Sequence, residues 1–127
     1  MIAIDSNILI YYLEKHPEFF DKSYKLIRSF GPGSNAGVCS ELVIAEIFST
    51  QGVVSGLYNA SFLHFVPVSR EILEEAGKLR LTHNLKVIDS IHIASAIKSK
   101  ATIFVTNDFK LAKAASSIIL TKTLKEL

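Results

Sequence analysis

Short apolar runs and amphipathic stretches alternate along the chain, each closed by turn residues. Ile2-Ala3-Ile4 reads as a short strand, and Ile8 to Leu13 opens a helix after Asp5-Ser6-Asn7. A second helix, from about Glu18 to Phe30, runs into Gly31-Pro32-Gly33-Ser34-Asn35, which must be loop. Gly37-Val38-Cys39 is a brief strand, and Ser40 is placed to cap a helix from Glu41 to about Thr50. A helical stretch over Val53 to Ala60 leads to Phe65-Val66-Pro67-Val68, an edge strand because proline cannot donate to a central ladder. Ser69 caps a helix from Arg70 to His83, with Glu71, Glu74 and Glu75 near its start where the dipole favours acids. A helix from Asp89 to Lys98 precedes the strand Thr102-Ile103-Phe104-Val105; Phe109 to Ala115 is a short helix and Ser117 to Leu120 a last strand. Strands separated by helices imply βαβ crossovers, hence an α/β fold with a parallel sheet covered on both faces. A doubly wound sheet would put Ile2-Ala3-Ile4 at its centre, between the Val38 strand and Thr102 to Val105.

With 127 residues, 49% of them hydrophobic and 20% charged, the chain is expected to fold as a single domain over residues 1–127 rather than remain a solvated tail. No apolar run approaches the roughly 18 residues of a membrane span, and Asp5 interrupts the N-terminal apolar residues without a preceding basic region, so no signal peptide is expected. The single cysteine, Cys39, allows neither an internal disulfide nor a cysteine-rich metal site. A cytoplasmic location without membrane contact is the expectation. Charge adds one hint: residues 98–127 hold six lysines against Asp108 and Glu126, a net +4, while the first 97 residues carry a net −2. Such a basic quarter suits a polyanionic partner, and equally suits ordinary solvated helix faces.

The acids carry more information than the net charge. Of four aspartates, Asp5, Asp89 and Asp108 each stand at the N-terminal border of a predicted helix, and Asp5 and Asp108 directly follow strands. Helix capping explains each alone. Together they gather, because the strand C-termini of an open parallel sheet line one edge, where ligand crevices form. Glu46 has no capping role: it sits mid-helix among Leu42, Val43, Ile44, Ala45, Ile47 and Phe48, and at 100° per residue it falls within their apolar stripe. A carboxylate there must be neutralised, paired or metal-bound, since burying it ionised and alone costs several kcal/mol. Four converging acids repel one another, and hard oxygen donors without thiolates suit Mg²⁺ or Mn²⁺. Such an ion activates water and stabilises charge on a phosphoryl oxygen, which makes phosphodiester hydrolysis the natural use.

These residues resemble the PIN domain family, most closely its small VapC-type toxin ribonucleases. The resemblance rests on four pieces in order: the strand with Asp5-Ser6-Asn7, the helix start Ser40-Glu41-Leu42-Val43-Ile44-Ala45-Glu46, the segment Ile88-Asp89-Ser90-Ile91-His92-Ile93-Ala94-Ser95-Ala96, and Phe104-Val105-Thr106-Asn107-Asp108-Phe109. It implies a three-layer α/β/α sandwich, Rossmann-like, with a central parallel sheet. It also implies a Mg²⁺- or Mn²⁺-dependent endoribonuclease site in which Asp5, Glu46, Asp89 and Asp108 are catalytic and metal-binding, with Ser6, Asn7 and Thr106 as supporting neighbours. RNA would be the substrate, and a homodimer held inactive by a small antitoxin protein the expected assembly.

The chain departs from that pattern at Asn107, where many relatives carry a basic residue, and at His92, three after Asp89, which could face the site or the solvent and, as a lone helical histidine is more often structural, is left outside the site. Glu41 lies about 140° from Glu46 on the helical wheel and reads as an ordinary first-turn acid. A phospho-receiver would need an acidic pair after the first strand, and an Asp-x-Asp phosphatase a second acid where Asn7 stands. The rival that remains is a non-catalytic PIN-like RNA-binding or scaffold module, which would have no need of all four acids.

Overall fold

Period-two alternation decides which layer each strand residue enters. In β1 (Ile2–Ile4), Ala3 packs with Val38 and Phe104 into one core, and Ile4 with Cys39 and Val105 into another on the opposite face. The structure, a computed structural model, describes residues 1–32, 35–51 and 63–127, the side chains of 48–51 excepted. The described strands β1, β2 (Gly37–Ser40), β3 (Leu63–Val66), β4 (Ile103–Val105) and β5 (Thr121–Lys122) form one parallel sheet in the order β3-β2-β1-β4-β5. Ile2 pairs with Gly37 on one side and Ile103 on the other, so β1 is central as the sequence predicts.

Helices cover both faces. On one side α1 (Ser6–Glu14), α2 (Phe20–Arg28) and α3 (Leu42–Gln51) deliver Ile8, Leu9, Leu26, Val43 and Ile47 to the core. On the other, α4 (Arg70–His83), α5 (Val87–Lys98) and α6 (Phe109–Ala115) deliver Ile72, Ala76, Ile91, Ile93, Ala94, Leu111 and Ala115. The result is the three-layer α/β/α sandwich expected of the alternating pattern. From Ser90 to Ala96 every residue of α5 is buried. The helix tolerates this because Ser90 and Ser95 turn their hydroxyls onto their own helix, donating to the carbonyls of Val87 at 2.6 Å and Ile91 at 2.8 Å. Ser69 caps α4 as predicted, its Oγ accepting the Ile72 N–H at 3.2 Å.

Several boundaries differ from the sequence reading. The edge strand spans Leu63–Val66 rather than Phe65 to Val68, and α1 starts at Ser6 rather than Ile8. Helix α2 starts later than Glu18, because His16 Nδ1 accepts the N–H groups of Glu18 and Phe19 and holds them in a turn. The helix carrying Asp89 begins at Val87, with Lys86 as an N-cap lacking a side-chain bond, so Asp89 lies within the first turn. The last strand is Thr121–Lys122 rather than Ser117 to Leu120. Ser116 and Ser117 return their hydroxyls to the carbonyls of Lys113 and Ala114, while the Ile118 and Ile119 N–H groups bond to Ala115, so the chain turns off the helix before it can pair. The helix expected over Val53 to Ala60 lies outside the described residues.

Candidate active site

The C-terminal ends of β1 and β4 lie side by side, locked by the Asp5 N–H donating to the Val105 carbonyl at 2.9 Å. At this point the strand order reverses direction, since the chain leaves β1 toward β2 on one side and reaches β4 on the other. Asp5 caps α1: its Oδ1 accepts the Ser6 N–H at 2.8 Å and its Oδ2 accepts the Thr106 hydroxyl at 2.7 Å. Only 5% of Asp5 is exposed, and Thr106 is fully buried. Having given its proton to Asp5, the Thr106 hydroxyl accepts from the Asp108 N–H at 3.2 Å and from Asn7 Nδ2 at 3.5 Å. Asn7 Oδ1 in turn accepts the Asn107 N–H at 3.4 Å. Ser6, Asn7 and Thr106 therefore tie the turn after β1 to the turn after β4 and fix both carboxylate oxygens of Asp5.

Glu46 reaches the same place from α3. Its side chain is 27% exposed, so the apolar stripe that carries it ends at the crevice rather than in the deep core. Its Oε2 accepts the Ser6 hydroxyl at 3.1 Å, and its Oε1 lies 2.8 Å from His92 Nε2. The same Nε2 is 3.8 Å from Asp5 Oδ1. His92, 3% exposed, thus stands between two of the predicted acids, a position the sequence reading did not assign to it. The available signal was its spacing: three residues beyond Asp89, it shares that residue's face of α5.

Asp89 and Asp108 bear on this region through charge. Burial pushes the Asp89 carboxyl above its ordinary value, Asp5 and Asp108 push it further, and His92 and Lys86 offset part of the rise. No side-chain cap at the start of α5 explains Asp89. Asp108 is exposed and does cap α6, its Oδ1 accepting the Leu111 N–H at 3.1 Å. For His92, burial alone would lower the imidazole's value, but the bond to Glu46 and the charges of Asp5, Glu46 and Asp89 outweigh it and raise the net value. Burial pushes the Cys39 thiol up to about 12, which removes it from chemistry at neutral pH.

Among the described residues, no three His, Cys, Asp or Glu side chains stand close enough to hold a metal ion directly as they lie. The donor set nevertheless fits a hydrated hard cation. It is built of carboxylate oxygens, one of its acids is pushed up by burial and then by repulsion from two of the others, and Mg²⁺ characteristically keeps several waters while bound through one or two carboxylates.

The sequence profile of the PIN domain matches residues 2–116. The chain belongs to the PIN domain family. Among solved PIN-like folds, a toxin-antitoxin complex from Klebsiella pneumoniae superposes with a TM-score of 0.75 at 21% identity, covering 100% of both chains. VapBC2 from Rickettsia felis, bound to a DNA fragment from its promoter, gives 0.69 at 22% identity over 97% of this chain and 98% of that one. VapC20 from Mycobacterium tuberculosis, a toxin that cleaves the sarcin-ricin loop, gives 0.67 at 16% identity over 88% and 95%. No curated protein sequence matches the chain. At these identities the likeness is one of fold. Among the described residues no helix is long and apolar enough to cross a membrane.

Proposed function

We propose that this PIN domain is a divalent-metal-dependent endoribonuclease and the toxin of a VapBC-type toxin-antitoxin pair, acting in the cytoplasm. The observation that carries the reading is Asp5 at the end of the central strand, fixed through both oxygens, with Glu46 one imidazole away and the charges of Asp89 and Asp108 acting on the same crevice. In this reading Asp5, Glu46, Asp89 and Asp108 bind Mg²⁺ or Mn²⁺, directly or through water, and Ser6, Asn7 and Thr106 keep the carboxylates oriented. When bound, the divalent cation supplies a water of lowered pKa and neutralises charge on the phosphoryl oxygen. Water is added across the P–O3′ bond, leaving 5′-phosphate and 3′-hydroxyl ends, and no side chain serves as nucleophile. Lysines of the basic C-terminal quarter and backbone N–H groups grip the RNA phosphates.

Family membership and the toxin-antitoxin neighbours support a small antitoxin partner and a homodimer, the latter read by sedimentation of the purified protein. Expression of the chain without its genomic neighbour tests the function in a cell. Wild type is expected to arrest growth and fragment RNA, and Asp5→Asn to do neither. Normal growth with intact RNA, while soluble protein accumulates, would contradict the reading and favour a non-catalytic RNA-binding module.

A further inference from the structure

His92 is a buried polar side chain beside Asp5 and Glu46 with an atom orphaned among the described residues. It lies within the run Ser90 to Ala96, where every residue is buried, and its Nδ1 has no hydrogen-bond partner among the described residues. Leaving a buried ring nitrogen unpaired is costly, so a role in packing alone would be served better by an apolar residue. What the ring does bond is Glu46, at 2.8 Å through Nε2. That bond bears on Glu46, because the last torsion of a glutamate is broad and each bond to the carboxylate narrows it. Ser6 Oγ donates to Oε2 and His92 Nε2 lies on Oε1, so both oxygens of the carboxylate are held. Nε2 also lies 3.8 Å from Asp5 Oδ1, which makes the imidazole the spacer between the two carboxylates.

We propose that His92 is a positioning residue: it donates Nε2–H to Glu46 and so presets the Glu46 carboxylate, opposite Asp5, for a divalent cation. The inference rests on the metal-dependent reading above and adds to it a residue outside the acidic quartet. Groups that hold metal-binding carboxylates in orientation typically contribute 10–100-fold to metal affinity. The substitutions follow from reach. In His92→Gln the side-chain amide extends to about where Nε2 stands, whereas in His92→Asn it stops short of Glu46, and His92→Leu supplies no donor.

The test is Mn²⁺ binding by titration calorimetry on the purified full chain, with far-UV circular dichroism melts to confirm that each variant is folded. Relative to wild type, His92→Leu and His92→Asn are expected to bind Mn²⁺ about tenfold or more weakly, and His92→Gln to stay within about threefold. Should His92→Leu not fold, the contrast between Gln and Asn carries the same information. Equal affinity in Asn, Gln and wild type, or tighter binding once the imidazole is removed, would overturn the proposal while leaving the metal site standing. If wild type and Asp5→Asn bind Mn²⁺ alike, or wild type binds none, the metal-dependent reading falls and the positioning role falls with it.

Discussion

Burial and the charges of Asp5 and Asp108 push the Asp89 carboxyl above its ordinary value, so ionising it costs the metal-free fold some of its stability. Asp89→Asn is therefore expected to leave the metal-free protein as stable as wild type or more so, while abolishing the stabilisation that Mn²⁺ confers. Melting curves of both proteins with and without Mn²⁺ check this; a large loss of stability in metal-free Asp89→Asn would instead make Asp89 a structural group. His92 gives the corresponding dependence on pH. Its value in the folded protein lies above the ordinary 6.5, so the native state binds more protons than the unfolded chain in that range. Its contribution to stability is complete below 6.5 and is lost as pH rises through the folded value. The difference in melting temperature between wild type and His92→Gln, followed from acid to alkaline pH in metal-free buffer, should therefore shift against wild type across that window. A difference independent of pH would contradict it.

Gly37 opens β2 directly beneath the buried ring of Phe30, and a Cβ built on it would land on that ring. Gly37→Ala must displace Phe30 or the strand, an overpacking that typically costs about 1–3 kcal/mol, to be read as a lower urea midpoint with unchanged slope. A midpoint equal to that of wild type would show that Phe30 yields without cost. At this scale, what the sequence makes legible follows from local chemistry. Ser69, with Glu71 in the first turn, gives α4 its observed start, and Phe109–Ala115 is read to the residue because Asp108 caps it. The misplaced β5 is only two residues long, and its pairing with β4 is decided by tertiary backbone bonds, Phe104 N–H to Leu120 and Thr106 N–H to Lys122, that no local pattern announces. The partner of Glu46 was equally hidden. Its isolation in an apolar stripe signalled that something must meet the charge, but His92 lies 46 residues further on and is brought to it only when α3 and α5 take their places beside the sheet.

Across the whole molecule, the proposed site is a product of topology. Asp5 and Asp108 follow the adjacent strands β1 and β4, Glu46 and Asp89 come from α3 and α5, and the strand order reverses between β1 and β4. This placement predicts how the reaction fails. In the proposed reading lysines and backbone N–H groups grip the phosphates while the acids act where charge develops, so Asp5→Asn should lower kcat far more than it raises KM for RNA. A comparable change in both would assign Asp5 to substrate binding. The measurement that bears most directly on the central claim is cleavage of a structured RNA pool by purified wild type and Asp5→Asn in Mg²⁺, in Mn²⁺ and in EDTA, with the product ends identified. We predict cleavage by wild type with either ion, none in EDTA, little by Asp5→Asn, and fragments ending in 5′-phosphate and 3′-hydroxyl. Cleavage that survives EDTA, or fragments ending in a 2′,3′-cyclic phosphate, would contradict metal-dependent hydrolysis and return the four acids to a structural role.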